Sequence, residues 1–364
     1  MIKGLPRGVV LILGLLVVTP AYAVEGALPT ALQATQAPDP LMPDFQLLGD
    51  LRPVSYNESH AVRDFPQPCC PPIWAHRTGF YASLMLLRAR DAEVAFALPV
   101  NNNVPVGATG LLDPEFDLGY QIGFRKAFED QHSSLSLNYS GFFSEQNQRL
   151  AGDGALFSLS KLLVHPNEAN AAADALLAIG QYEIDFQTVD LDYRFVVISN
   201  QCTAANFTIG ARYGRLDQEL AVQYSGAGLT ELVTSDIEFN GLGLRLGGDI
   251  EHHGRHGLFC YGKTAASFLA GEVKADFLHS SNVDPLRVAN SWDAGRLVSI
   301  LELEVGAGWQ CTSNCKLSAG YTFSNWMGVA KTDQWIDKVQ ADSAGDLDGD
   351  LTFDGFVFNA EYRF

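Results

Sequence analysis

Apolar and polar residues alternate with period two over most of the chain beyond residue 78, the spacing that puts successive side chains on opposite faces of a β-strand. In residues 115–128, Phe116, Leu118, Tyr120, Ile122 and Phe124 oppose Asp117, Gly119, Gln121, Gly123 and Arg125. Likewise Leu297, Leu301, Leu303, Val305, Ala307 and Trp309 oppose Arg296, Glu302, Glu304 and Gln310. The pattern predicts ten strands, at 79–90, 115–128, 133–147, 181–195, 205–223, 234–250, 257–273, 294–310, 314–331 and 351–364. Within 181–195 the apolar parity changes, from Tyr182, Ile184 and Phe186 to Val189, Leu191, Tyr193 and Phe195, which predicts a bulge near Gln187 or Thr188.

The gaps between these runs alternate long and short, although the fourth and fifth differ little. Long extracellular loops and short periplasmic turns are the mark of up-and-down barrels in outer membranes, and an even strand number leaves both ends of such a barrel on the periplasmic side. A soluble sandwich with Greek-key connections has no reason for that parity. The expected fold is therefore all-β, an up-and-down antiparallel transmembrane β-barrel of about ten strands. In the third gap, residues 167–179 are Ala-rich and predict a small helix.

The N-terminal 78 residues read differently. Lys3 and Arg7, an apolar run at residues 9–18 and Ala21-Tyr22-Ala23 form a secretory signal over residues 1–23. Residues 24–78 hold nine of the sixteen prolines, which excludes a long helix or central strand and predicts an extended periplasmic leader. Residues 79–364 are then the barrel domain. No later stretch reaches the ~18 apolar residues of a spanning helix, so an exported chain of this kind enters a membrane only as a closed barrel.

Composition adds two exclusions. The formal charge is −18 and becomes −20 once Lys3 and Arg7 leave with the signal, which disfavours nucleic acid as a partner. Charged residues make up only 18% and mean hydropathy is +0.03, as expected where lipid-facing and lumen-facing positions alternate.

The last fourteen residues put Phe356, Phe358, Tyr362 and Phe364 on one face. A terminal strand with outward aromatics and a final Phe resembles the C-terminal signal of bacterial outer-membrane β-barrels, which implies recognition by the barrel-assembly machinery. Further upstream, Asp190-Leu191-Asp192-Tyr193-Arg194-Phe195, Gly210-Ala211-Arg212-Tyr213, residues 241–247 (GLGLRLG), residues 261–266 (YGKTAA), Ala319-Gly320-Tyr321 and Asn325-Trp326 resemble the Legionella-type major outer-membrane protein family. The resemblance covers residues 79–364 and implies a pore-forming β-barrel in the outer membrane of a Gram-negative-type bacterium. A ten-strand barrel is narrow for diffusion, since eight strands are filled and sixteen leave a channel.

Candidate chemistry is sparse. Cys69, Cys70, Cys202, Cys260, Cys311 and Cys315 all fall at the periplasmic end of this arrangement, where an oxidising compartment favours disulfides. Cys311 with Cys315 would pin one hairpin, Cys202 with Cys260 would join neighbouring strands, and Cys69 and Cys70 are left for each other or a partner. Cys-x3-Cys without nearby histidines is a weak metal signal, and Glu251-His252-His253 with His256 reads as a solvated turn. Asp346-Leu347-Asp348-Gly349-Asp350 departs from the EF-hand pattern at Leu351 and Val357. No metal and no cofactor are expected.

A charge on the lipid face near the midplane costs about 2–4 kcal/mol. Asp117, Gln121, Arg125, Arg212, Arg245, Asp249, Glu302 and Glu304 are therefore expected to point into the lumen, lining an aqueous path or plugging it with salt bridges. Tyr139, Phe143, Tyr193, Phe195, Trp309, Tyr321, Trp326, Tyr362 and Phe364 suit interfacial girdles. Without a nucleophile motif or phosphate loop, the expected function is porin-like passage of small hydrophilic solutes rather than an enzyme's. The rivals are a non-conducting structural or adhesive barrel with a plugged lumen, and a rim enzyme whose only candidate bases in the outer loops are His165 and His279.

Overall fold

The computed structural model describes residues 74–364 except 155, 169, 170, 172, 173, 227, 344 and 346. The expected signal, nearly all of the leader, and Cys69 and Cys70 lie outside the described residues. In chain order the strands are β1 (Gly79–Arg90), β2 (Val94–Asn101), β3 (Val104–Pro105), β4 (Gly110–Leu112), β5 (Asp117–Ala127), β6 (Ser133–Ala151) and β7 (Ser158–Lys161). They continue with β8 (Leu177–Ser199), β9 (Thr203–Gly226), β10 (Leu229–His253), β11 (Leu258–Ser281), β12 (Val288–Gln310), β13 (Cys315–Val329), the helix α1 (Thr332–Gln340) and β14 (Gly349–Arg363).

Ten of these strands close a ring in the order β1, β14, β13, β12, β11, β10, β9, β8, β6, β5, each antiparallel to its neighbours. The ring closes where β1 pairs with both β14 and β5, with Gly79 opposite Arg363 and Arg125. All ten predicted runs coincide with barrel strands. Their partners leave no free edge, so every strand backbone is satisfied within the sheet, as a lipid environment requires.

Strand lengths are uneven, and that unevenness explains two departures from the pattern. Strands β8 to β12 run 23–25 residues while β1, β5, β13 and β14 run 11–15. The extra length lies at the outer end, so the fifth connection is only residues 227 and 228 and the seventh only 282–287. At the β9–β10 turn Gly228 has φ +82, which only glycine adopts without strain. Alternation of long and short gaps therefore fails on this side: the strands themselves rise where loops were expected. Residues 177–179, expected to be helical, are the first residues of β8.

The predicted bulge at Gln187 or Thr188 is likewise corrected. β8 keeps unbroken register there with both β6 and β9, and its single shift lies between Val196 and Ile198. The hydropathy changes because the surroundings do. Outward-facing Val189, Leu191 and Tyr193 meet lipid, whereas outward-facing Glu183 and Asp185 stand above it in water. Inward-facing side chains invert too, from Asp190 and Asp192 in the membrane level to Tyr182, Ile184 and Phe186 above. The same inversion runs through β9, where outward Phe207, Ile209 and Tyr213 give way to Arg215, Asp217 and Glu219.

The raised wall thus has an acidic outside and an apolar inside. Pairing aligns Glu145, Glu183, Glu219, Asp236 and Asp276 in one row across five strands. A second row places Asp185 beside Asp217 and Asp217 beside Glu238. Like charges directly opposite one another destabilise a sheet by about 0.2–1 kcal/mol per pair. Partial burial, reinforced by the Glu183 charge, pushes the Asp185 carboxyl up to about 6. The folded chain therefore holds this proton more tightly than the unfolded one, and stability falls as pH rises through about 6. Asp236→Asn, which removes the charge between Glu219 and Asp276, is expected to raise the urea midpoint at pH 7.5 and low salt. The gain should shrink in 0.5 M salt and at pH 5; a midpoint that is unchanged or lowered at low salt would contradict the repulsion.

The bare apolar inside of that wall has to be covered, and three loops do it. Residues 91–116 contribute β2, β3 and β4, and β7 from residues 152–176 pairs with the far side of β2. Residues 330–348 supply α1, whose buried Trp335, Ile336 and Val339 face the core. One contiguous apolar cluster joins Phe96, Leu112 and Leu159 of the sheet to Tyr224 and Leu220 of the wall and to Trp335 of α1. Tyr224 donates to the Phe96 carbonyl at 2.5 Å, and Gln340 donates to the Leu162 carbonyl at 2.7 Å, tying sheet, wall and helix loop together.

Candidate functional site

Along the lumen the inward positions form three levels, and each follows from the local sequence. At the outer level the core just described fills the barrel. Beneath it Phe142, Phe186, Trp326 and Phe353 form an aromatic layer, each at most 8% exposed. Phe186 stands on β8 and Trp326 on β13, diametrically opposite in a ten-strand ring, yet their ring centroids are 5.9 Å apart. Phe353 packs against both, 4.8 Å from Phe186 and 6.4 Å from Trp326, and lies 5.6 Å from Phe142. Trp326, expected in an interfacial girdle, is an inward residue because it continues the parity of Lys316, Ser318 and Ser324.

Below the layer is a polar chamber of about 230 Å³. Seven of the eight lumen candidates line it: Gln121, Arg125, Arg212, Arg245, Asp249, Glu302 and Glu304. Asp117 lies on the same inward face of β5 but further out, accepting a bond from the Ser144 hydroxyl at 2.7 Å. On the β8–β12 side the chamber wall is an ion-pair cluster. Arg212 holds Asp190 with two bonds of 2.5 and 2.7 Å and reaches Glu302 at 2.9 Å. Arg245 bridges Asp192 at 2.8 Å and the same Glu302 carboxylate at 3.1 Å. Three carboxylates thus share two guanidiniums, with Asp190 and Arg212 only 2% and 3% exposed.

The remaining charges pair in the same way. Lys263 meets Glu304 at 2.9 Å, Arg125 meets Glu361 at 2.9 Å, and Lys316 meets Glu251 at 2.5 Å. Arg194 donates to Asp249 at 2.6 Å, and Asn206 donates to the same carboxylate at 2.9 Å. Inward glycines make room for flat-lying rings: a Cβ at Gly306 or Gly320 would stand 2.7 or 2.6 Å from the Tyr261 hydroxyl.

The inner mouth holds a residue that sequence reasoning passed over. His76, at the end of the Pro-rich stretch, is 5% exposed and contacts Ser134 Oγ at 2.8 Å and Asn206 Oδ1 at 3.0 Å. Burial and the neighbouring Arg194 charge lower its pKa to about 4, so it is neutral at pH 7. Trp74 stacks on His132 with centroids 4.6 Å apart. A histidine in a Pro-rich leader carries no periodic signal that could have placed it there.

The disulfide expectation is corrected: Cys202, Cys260, Cys311 and Cys315 are all free thiols. Cys202 and Cys260 are not on neighbouring strands, because β10 runs between them and pairs His252 with both Thr203 and Cys260. Of the rim histidines, His165 contacts Asp342 at 3.1 Å, and His279 is fully buried, 3.7 Å from Glu231. Burial lowers the His279 pKa. Phe356, Phe358, Tyr362 and Phe364 all face outward, 49–59% exposed.

Similar folds occur among solved structures, at low identity. The outer-membrane protease OmpT of Escherichia coli is 10% identical over 79% of this chain and 97% of its own, with a TM-score of 0.45. Ail, the attachment invasion locus protein of Yersinia pestis, is 11% identical over 79% and 99%, with a TM-score of 0.24. The toluene transporter TodX of Pseudomonas putida is 10% identical over 79% and 90%, with a TM-score of 0.33. No curated protein matches the chain. The family described as Legionella pneumophila major outer membrane protein precursor matches residues 67–364, so this outer-membrane β-barrel belongs to that family.

Proposed function

We propose that the folded barrel is a closed surface protein of the outer membrane, with its lumen shut by the aromatic layer and its raised wall displayed outside. The observation that carries this reading is the contact between Phe186 and Trp326 across the full width of the ring. With buried Phe142 and Phe353 filling the lumen on one side of that contact and buried Leu216, Leu269 and Ile300 on the other, no continuous water column remains, and the loop core above adds a second closure. Outward Phe356, Phe358, Tyr362 and Phe364 support delivery by the barrel-assembly machinery and contact with outer-membrane lipid.

A second reading, porin-like passage of small hydrophilic solutes, draws on the polar chamber below the layer. Passage would require the layer and α1 to move aside, after which solutes would meet Arg125, Arg212, Arg245, Asp249, Glu302 and Glu304. Planar-bilayer recordings of the purified, detergent-folded mature chain separate the two. No discrete current steps are expected from heat-modifiable, fully folded protein, whereas reproducible single-channel steps would overturn the closed reading and establish passage.

A further inference from the structure

We infer that the chamber beneath the aromatic layer is a binding site for a neutral, polyhydroxylated solute about the size of a monosaccharide, reached from the periplasmic mouth. Size sets the first limit: at about 230 Å³ the chamber is smaller than the ~300–1,000 Å³ clefts that take drug-sized ligands. The side from which it is reached follows from the aromatic layer and core that fill the lumen above it. Lys263 keeps 46% of its side chain accessible and Glu302 keeps 29%, so the chamber is open rather than packed.

Charge sets the second limit. Every lysine and arginine of the wall already has a carboxylate within salt-bridge distance, as the pairs of Arg212, Arg245, Arg125, Lys263, Lys316 and Arg194 show. A charged solute would have to break one of these pairs and leave a buried partner uncompensated. A solute with hydroxyls pays no such cost.

The hydrogen-bonding pattern selects the class. On the β14–β1–β5–β6 side, Ser83 contacts Asn359 at 3.3 Å and Gln121 at 3.5 Å, and Gln121 donates to Ser140 at 3.1 Å. These amides and hydroxyls both donate and accept. Among the described residues, Asn138 Oδ1, Asp192 Oδ1, Arg125 Nε, Arg245 Nε and Tyr261 Oη are buried in the wall without a hydrogen-bond partner. Neutral groups that both donate and accept, on the side opposite the ion pairs of β9 to β12, suit a ring that carries hydroxyls around its rim. The roof of Phe186, Trp326 and Phe353, with the Tyr81 ring at the side, gives the ring's C–H face an apolar surface.

The test is equilibrium binding, and it reads independently of whether current passes. Isothermal titration calorimetry of the detergent-folded mature chain with D-glucose is expected to show saturable heat in the millimolar range, with sodium glutamate giving none. Gln121→Leu is expected to weaken glucose binding roughly tenfold, the worth of one or two hydrogen bonds to a neutral partner. Should Gln121→Leu lose heat-modifiable mobility, Ser140→Val removes one hydroxyl of the same wall and carries the same expectation. Absence of saturable glucose heat from folded protein, glutamate binding more tightly than glucose, or unchanged affinity in a folded wall variant would each overturn the proposal.

Discussion

Arg212→Ala is expected to be the most destabilising single substitution in the membrane-level lumen, costing about 3–5 kcal/mol, the range for breaking one side of a buried ion pair. The arginine is 3% exposed and holds Asp190 through two bonds while reaching Glu302. Its removal leaves the Asp190 carboxylate, 2% exposed, with only Arg245 at 3.7 Å. Asp190, Asp192 and Glu302 would then share one guanidinium, so repulsion adds to lost hydrogen bonding. The penalty belongs to the orphaned charge more than to the pair itself. Arg212→Met combined with Asp190→Leu should therefore recover much of the loss. The exposed counterpart gives the scale: Arg215, 43% accessible beside Asp217, should cost under about 1 kcal/mol when changed to alanine. Urea midpoints in lipid vesicles measure all three, and an Arg212→Ala loss no larger than that of Arg215→Ala would refute the cluster as a buried network.

The strands were legible in the sequence because period-two alternation reports a wall with two different sides. What the alternation does not report is which side is wet. In β8, Tyr182, Ile184 and Phe186 point inward as do Asp190 and Asp192, and the surroundings on both sides of the wall change between them. Read without those surroundings, a parity switch looks like a bulge, and a strand rising above the bilayer looks like a loop. The lumen charges were legible for a similar reason: lipid excludes Arg212, Arg245 and Glu302 from the other face. Their mutual pairing was not, since Glu302 meets Arg212 from three strands away and 90 positions along the chain. The aromatic layer escaped notice because Phe142, Phe186, Trp326 and Phe353 sit on four strands and resemble girdle residues one at a time.

Those four residues and α1 close the lumen in series, and closures in series predict a non-additive result. Val329 of β13 pairs with Gly349 of β14, so a short Gly-Ser turn can replace residues 330–348 and remove α1 without straining the barrel. That deletion alone is expected to give no current, because Phe186 and Trp326 still meet across the ring. Trp326→Ala alone is also expected to be silent. It takes out the ring that meets Phe186 across the lumen, at a cost of about 3–5 kcal/mol for a fully buried tryptophan, but Trp335, Ile336 and Val339 remain above. Only the two changes together should produce discrete steps in a planar bilayer, since water must cross both levels to form a conducting column. Steps from either single change would show that one closure is the whole barrier. Silence from the double variant, in protein that still shows heat-modifiable mobility, would place the seal in the β2–β4 sheet, leaning on the wall through the bond from Tyr224 to Phe96.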